Sequence, residues 1–260
     1  MVASSVSLPM TSFLRVVIIA AVLFLPGADS LWALDTDATI AKARRYLGSE
    51  ESLDQVQSVR FVGSLQTDTN QSMAIEIIFQ KRYRQRIVTT AADRMETTAL
   101  DDYEGWQKIE DLKDKGRWRM KLLTKDQVKR LRANTWENLA FFRGIQLKGG
   151  RVENHGDIAI EGRQAHKLSF MHTTGSVFTR YFDAETGKLI LTETEQGGKI
   201  REEGEIVAGG LRVPQKIVTL TPVEGGKERS ATIVFEKVFV NETFAASLFT
   251  VPVTGAPPVR

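Results

Sequence analysis

Hydrophobic positions along the chain fall into three regimes. The first is an unbroken apolar run of ten residues at 16–25, preceded by Arg15 and followed by Pro26, Gly27 and small residues. That length and flanking fit the core of a cleavable export signal, and fall short of the roughly 20 apolar residues a membrane-spanning helix needs. Small residues place cleavage near Ser30 or Ala33, so 1–33 is expected to be a signal peptide and the mature chain to begin between Leu31 and Leu34. The second regime is helical. Ile40, Ala43 and Leu47 recur at three- and four-residue spacing, which predicts a helix over 36–47 capped by Gly48, then a short helical turn through Leu53 and Val56.

The third regime has period two. Val59, Phe61, Gly63 and Leu65 share one parity, and Met73, Ile75, Ile77 and Phe79 alternate with Ala74, Glu76, Ile78 and Gln80. Alternation of this kind predicts strands with one buried face. Further strands are expected at 84–90, 96–101, 107–110, 158–161, 165–172, 177–182, 189–195, 200–206, 214–220 and 230–240. Gly-Gly pairs begin at 149, 197, 209 and 225, and Asp183-Ala184-Glu185-Thr186-Gly187 has the composition of a hairpin loop. Ten or more short strands without helical crossovers imply one curved antiparallel sheet.

A single segment breaks this rhythm. Thr124-Lys125-Asp126-Gln127 has the capping-box form. Behind it Val128, Leu131, Thr135, Leu139 and Phe142 recur at helical spacing, joined by Trp136 and Ile145, with Gly144 placed to end the helix. The only large apolar surface available to such a helix is the concave side of the sheet. It either completes a core there or serves as the movable lid of a cavity.

Composition narrows the function. There is no cysteine, which removes disulfides, thiolate metal sites, cysteine nucleophiles and a lipidated cysteine anchor. The net charge of +3 does not suggest nucleic acid, and it is unchanged when the leader takes away Arg15 and Asp29. Basic residues cluster at Lys81, Arg82, Arg84 and Arg86, a solvated face or a patch for an anionic lipid or protein partner. A second basic cluster is Lys125, Lys129, Arg130 and Arg132. No nucleophile elbow, zinc-protease helix or phosphate-cradling loop occurs. The histidines are His155, His166 and His172, and the last two lie too far apart on a strand for one metal. The adjacent carboxylates Asp101-Asp102 point to opposite faces of a strand, so they make no acid/base pair. No catalytic centre, metal site or cofactor is expected. The acceptor patterns at Asn70 and Asn241 read as turns.

Tyr181-Phe182-Asp183-Ala184-Glu185-Thr186-Gly187-Lys188-Leu189, then Arg212-Val213-Pro214-Gln215-Lys216-Ile217, Phe235-Glu236-Lys237-Val238 with Asn241, and Leu248-Phe249-Thr250-Val251-Pro252 resemble bacterial outer-membrane lipoprotein-sorting proteins of the LolA/LolB/RseB-like superfamily. The stretch from Ala43 to Gly63 is similar to the same group. The resemblance implies an α+β fold: an incomplete β-barrel over 34–252, helices on its concave face, and a flexible tail at 253–260. It also implies a non-enzymatic periplasmic protein holding lipoprotein acyl chains or another lipid in an apolar groove. The groove is expected to be lined by Phe61, Leu65, Ile75, Ile77, Phe79, Trp136, Leu139, Phe142 and Phe170. Transient contact with a membrane surface, or with another envelope protein, would fall to Lys81, Arg82, Arg84 and Arg86. A sensor or interaction module on the same fold is the competing expectation.

Overall fold

The computed structural model describes residues 28–69, 71–223 and 225–252. Most of the expected leader and the whole tail at 253–260 lie outside the described residues. The first helix, α1 (Ala28–Leu47), includes the predicted 36–47 and starts earlier. Gly48 does not take the left-handed conformation expected of a cap. It is needed instead for close approach, since a Cβ there would stand 2.6 Å from the Gly210 carbonyl oxygen. The short α2 (Glu50–Gln55) is capped by Ser49, whose hydroxyl accepts from the Ser52 N–H at 3.1 Å.

One meander follows: β1 (Ser58–Thr67), β2 (Ser72–Gln80), β3 (Arg84–Thr90), β4 (Arg94–Asp101), β5 (Glu104–Asp111) and β6 (Trp118–Leu122). After α3 (Lys125–Ala140) comes a second: β7 (Arg151–Ile160), β8 (Arg163–Met171), β9 (Val177–Asp183), β10 (Leu189–Thr194) and β11 (Lys199–Glu203). A small ribbon of β12 (Ile206–Ala208) and β13 (Leu211–Val213) stands apart, and β14 (Lys216–Pro222) and β15 (Glu228–Val240) complete the sheet. The run expected at 200–206 is thus two strands, broken where Gly204 takes a positive φ of 63°. Strands β6 and β13 were not legible as strands, and β7 begins well before the expected 158.

The main sheet has 13 strands in the order β6-β5-β4-β3-β2-β1-β15-β14-β11-β10-β9-β8-β7, all neighbours antiparallel. The two meanders meet at the β1–β15 seam. There Gly63 sits at a register shift, and a Cβ on it would fall 1.9 Å from the Val234 carbonyl oxygen, so no larger residue fits. The edges β6 and β7 never pair with each other, which leaves a half-barrel open on one side. Helix α3 connects these edges and packs on β2 to β5.

The capping box forms as expected: Gln127 N–H donates to the Thr124 hydroxyl at 3.3 Å, and Thr124 N–H donates to Gln127 Oε1 at 2.9 Å. The helix, however, ends at Ala140 rather than at Gly144. Phe141 and Phe142 both adopt left-handed backbone, with φ of 49° and 68°. That conformation costs roughly 1–2 kcal/mol per non-glycine residue, and burying two phenylalanines offsets it. The two rings part company at this turn. Phe141 joins a core with Val59, Ile75, Ile77, Phe79 and Phe235, while Phe142 joins one with Phe170, Phe178 and Phe182.

Candidate functional site

Between the two cores, under α3 and the Phe141–Phe142 turn, lies a cavity of about 260 Å³. Strand alternation delivers its first wall. Phe61 from β1, Ile77 and Phe79 from β2, Ile87 from β3 and Ile217 from β14 all line it, with Phe235 from β15. Asn138 on α3 is exposed and lies at its rim.

The opposite wall carries charge. The concave parity of β9 presents Phe178, Arg180 and Phe182, so an arginine stands in a row of phenylalanines. Arg180 is 6% exposed, and its guanidinium lies 4.9 Å from the ring centres of both Phe142 and Phe170. Its ion-pair partner is Glu137 of α3, which also takes a 2.7 Å hydrogen bond from His172 Nε2. Burial opposes ionisation of Glu137, but the charge of Arg180 and the hydrogen bonds from His172 and Arg180 outweigh it and hold the carboxyl below its usual range. Arg180 Nε is buried with no partner.

A second carboxylate faces the same space. Glu202 on β11 lines the cavity two residues beyond Ile200, the spacing that puts both on one face. No hydrogen bond or ion pair joins its side chain to another described residue. Burial pushes its carboxyl up to about 7, against the opposing pull of Arg180 and Lys188. An apolar wall and a polar wall therefore meet in one enclosure, which suits an amphiphile better than a purely apolar guest.

Of the expected groove residues, Phe61, Ile77, Phe79 and Phe142 line this cavity. Ile75 and Phe170 are packed within the two cores, and half-buried Leu65 packs against one of them. Trp136 and Leu139 line a different concavity, an outer cleft of about 420 Å³ that Lys81 and Arg82 also border. Arg84 and Arg86 are kept apart from that pair: Arg84 bonds Asp101 at 2.8 Å and Arg86 bonds Glu76 at 3.2 Å. Arg44, 2% exposed, ties the helices together by donating to the Phe141 carbonyl at 2.9 Å and to Glu50 at 2.6 Å. Arg180, Glu137 and Glu202 escaped sequence reading. Their only signal was a charged residue at an inward parity.

An open antiparallel half-barrel, closed over a cavity by an inserted helix, is the LolA-like class of fold. Three of the solved structures that share it illustrate the likeness. A LolA superfamily protein from Nitrosomonas europaea is 9% identical with a TM-score of 0.53, covering 83% of this chain and 97% of that one. An outer membrane lipoprotein-sorting protein domain from Vibrio parahaemolyticus is 7% identical with a TM-score of 0.53, covering 82% and 97%. A DUF1329 family protein from Desulfovibrio piger is 9% identical with a TM-score of 0.52, covering 83% and 97%. At these identities the likeness is one of fold. No protein-family model and no curated protein matches the sequence. Among the described residues no helix is long and apolar enough to cross a membrane.

Proposed function

We infer that the protein is a soluble, non-enzymatic periplasmic carrier that shields an acyl chain, of a lipoprotein or another lipid, from water. The observation that carries this reading is the cavity of about 260 Å³ between sheet and helix, with phenylalanines on both walls. The fold it shares with a lipoprotein-sorting domain supports it. Burying a chain contributes about 0.8 kcal/mol per methylene, so eight methylenes supply roughly 6 kcal/mol before ordering costs. Preorganised apolar walls and a rim are all the chemistry such a carrier requires.

A second reading, an envelope sensor or interaction module, draws on a surface pocket beside the outer cleft, which shares Tyr83 and Trp136 with it. There Arg132 lies 4.1 Å from the Tyr83 ring centre and 3.7 Å from that of Tyr103, which is 73% exposed. Aromatic rings and cations together suit a protein partner or an anionic membrane surface. The test is mass spectrometry of lipids extracted from protein purified out of its native envelope. Co-purified acyl lipid is the outcome expected of a carrier. Lipid-free protein that also takes up no fluorescent fatty acid would leave the interaction module as the better account.

A further inference from the structure

The polar wall of the cavity does more than tolerate water. Arg180, with Thr192 beside it in register, and Glu202 line one stretch of the concave face. Arg180 Nε is buried without a partner, and the Glu202 side chain makes no hydrogen bond among the described residues. The ion pair of Arg180 runs to Glu137 and not to Glu202, which feels the guanidinium only through space. The Arg180 and Glu202 side chains line one cavity without pairing with each other, which leaves room for a group that meets both.

We propose that the cavity is a fatty-acid site in which the ligand's carboxyl group sits between Arg180 and Glu202, sharing one proton with Glu202, while a single alkyl chain runs along the Phe61 and Phe79 wall. The proposal rests on the carrier reading above and specifies its cargo. Size argues for one chain: about 260 Å³ at roughly 30 Å³ per water-sized heavy atom holds about eight to ten atoms, so three acyl chains would not fit. Charge argues for a carboxyl group. Glu137 already neutralises Arg180, and a phosphate head would meet both Glu137 and Glu202. A carboxylate can instead form an acid–carboxylate pair, in which two like groups keep one proton between them.

The other groups around Glu202 are accounted for. His172 is bonded to Glu137. Lys188 reaches Glu205, and Arg212 pairs with Glu205 and lies over the Tyr46 ring. The Tyr46 hydroxyl donates to Glu205. Glu202 is left as the group free to take up the proton, and its carboxyl, raised to about 7, titrates in the physiological range. Binding the ligand anion therefore consumes one proton.

The experiment is calorimetric titration of the full mature chain with octanoic acid and with methyl octanoate from pH 6.5 to 8.5, repeated on Glu202→Gln. Octanoic acid should bind wild type about tenfold more weakly at pH 8.5 than at pH 7.5, because one proton is taken up per ligand. The ester should show no such slope. Glu202→Gln, which keeps a donor but no titratable proton, should bind the acid without that dependence. A pH-independent acid affinity in wild type, or ester binding as tightly as the acid at every pH, would overturn the head-group site while leaving the apolar cavity intact. If neither ligand binds, the carrier reading falls with it.

Discussion

The two walls of the cavity are built by the same backbone and held by different physics. On the β1–β3 side the strand residues that line the cavity are all aliphatic or aromatic: Val59, Phe61, Ile77, Phe79 and Ile87. On the β9–β10 side Phe178 and Leu189 do the same work, but Arg180 is buried between them and paired with Glu137 of α3. An apolar wall tolerates truncation in proportion to what it loses. A wall containing a buried ion pair does not, because removing one partner strands the other without solvent. The difference suggests that one wall supplies affinity and the other selectivity.

The largest expected effect tests the stranded charge. Arg180→Met leaves Glu137 buried with only His172 for company, and should lower unfolding free energy in urea by about 3–5 kcal/mol. The double variant Arg180→Met with Glu137→Gln should recover much of that loss. Failure of the second change to restore stability would mean that Arg180 contributes through its stacking on Phe142 and Phe170 and not through its charge.

Truncation of phenylalanines sharpens the contrast between packed core and cavity lining. Phe170 is 1% exposed and does not line the cavity, so Phe170→Ala should cost about 3–5 kcal/mol. Phe61 is half-buried and already borders empty space, so Phe61→Ala should cost less than about 2 kcal/mol. Its effect should appear in uptake of a fluorescent fatty acid. Equal destabilisation by the two changes would argue that the space under α3 is closed to ligands.

What could be read from the sequence follows from this contrast. Period-two alternation made the Phe61 wall legible, and strand number and spacing implied one curved antiparallel sheet with an inserted helix, whereas the half-barrel form was what the resemblance to LolA/LolB/RseB-like proteins implied. Binary patterning is blind to one kind of position: a charged residue at inward parity, such as Arg180, reads as noise until Glu137 is seen to meet it across the fold. The Phe141–Phe142 turn was hidden for a related reason. Helical spacing continues through Phe142 in the sequence, and only the tertiary demand for one ring in each core breaks the helix at Ala140. The basic run looked like one patch because sequence proximity conceals strand alternation and the hairpin turn.

The two carboxylates should respond to pH with opposite sign. Glu137 sits below its usual range, so its contribution is present above about pH 4.5 and is lost as pH falls through its folded value. Glu202 is raised to about 7, so the folded state favours its protonated form, and that contribution fades as pH climbs from about 4.5 to 7. Glu202→Gln should therefore leave stability at pH 4 unchanged and raise it at pH 8 by about 1–2 kcal/mol, less than the full shift because the cavity admits water. An unchanged stability at pH 8 would place Glu202 in ordinary solvent.

The smallest stability effect belongs to the outside of the molecule. Arg84 and Arg86 are partly exposed and already paired, with Asp101 and with Glu76, and Glu76 also meets Arg60. Such surface pairs contribute little, so Arg84→Ala with Arg86→Ala should change unfolding free energy by less than about 1 kcal/mol. Their carboxylate partners also cancel the field they could offer an anionic surface. Arg82, exposed at the tip of the β2–β3 hairpin beside the outer cleft, forms no ion pair among the described residues. If basic residues bring this protein to anionic membranes, Arg82→Glu should weaken sedimentation with anionic vesicles more than the double alanine variant does. The reverse order would show that the convex strand face makes the contact, and that the ion pairs seen there open when a membrane competes for the arginines.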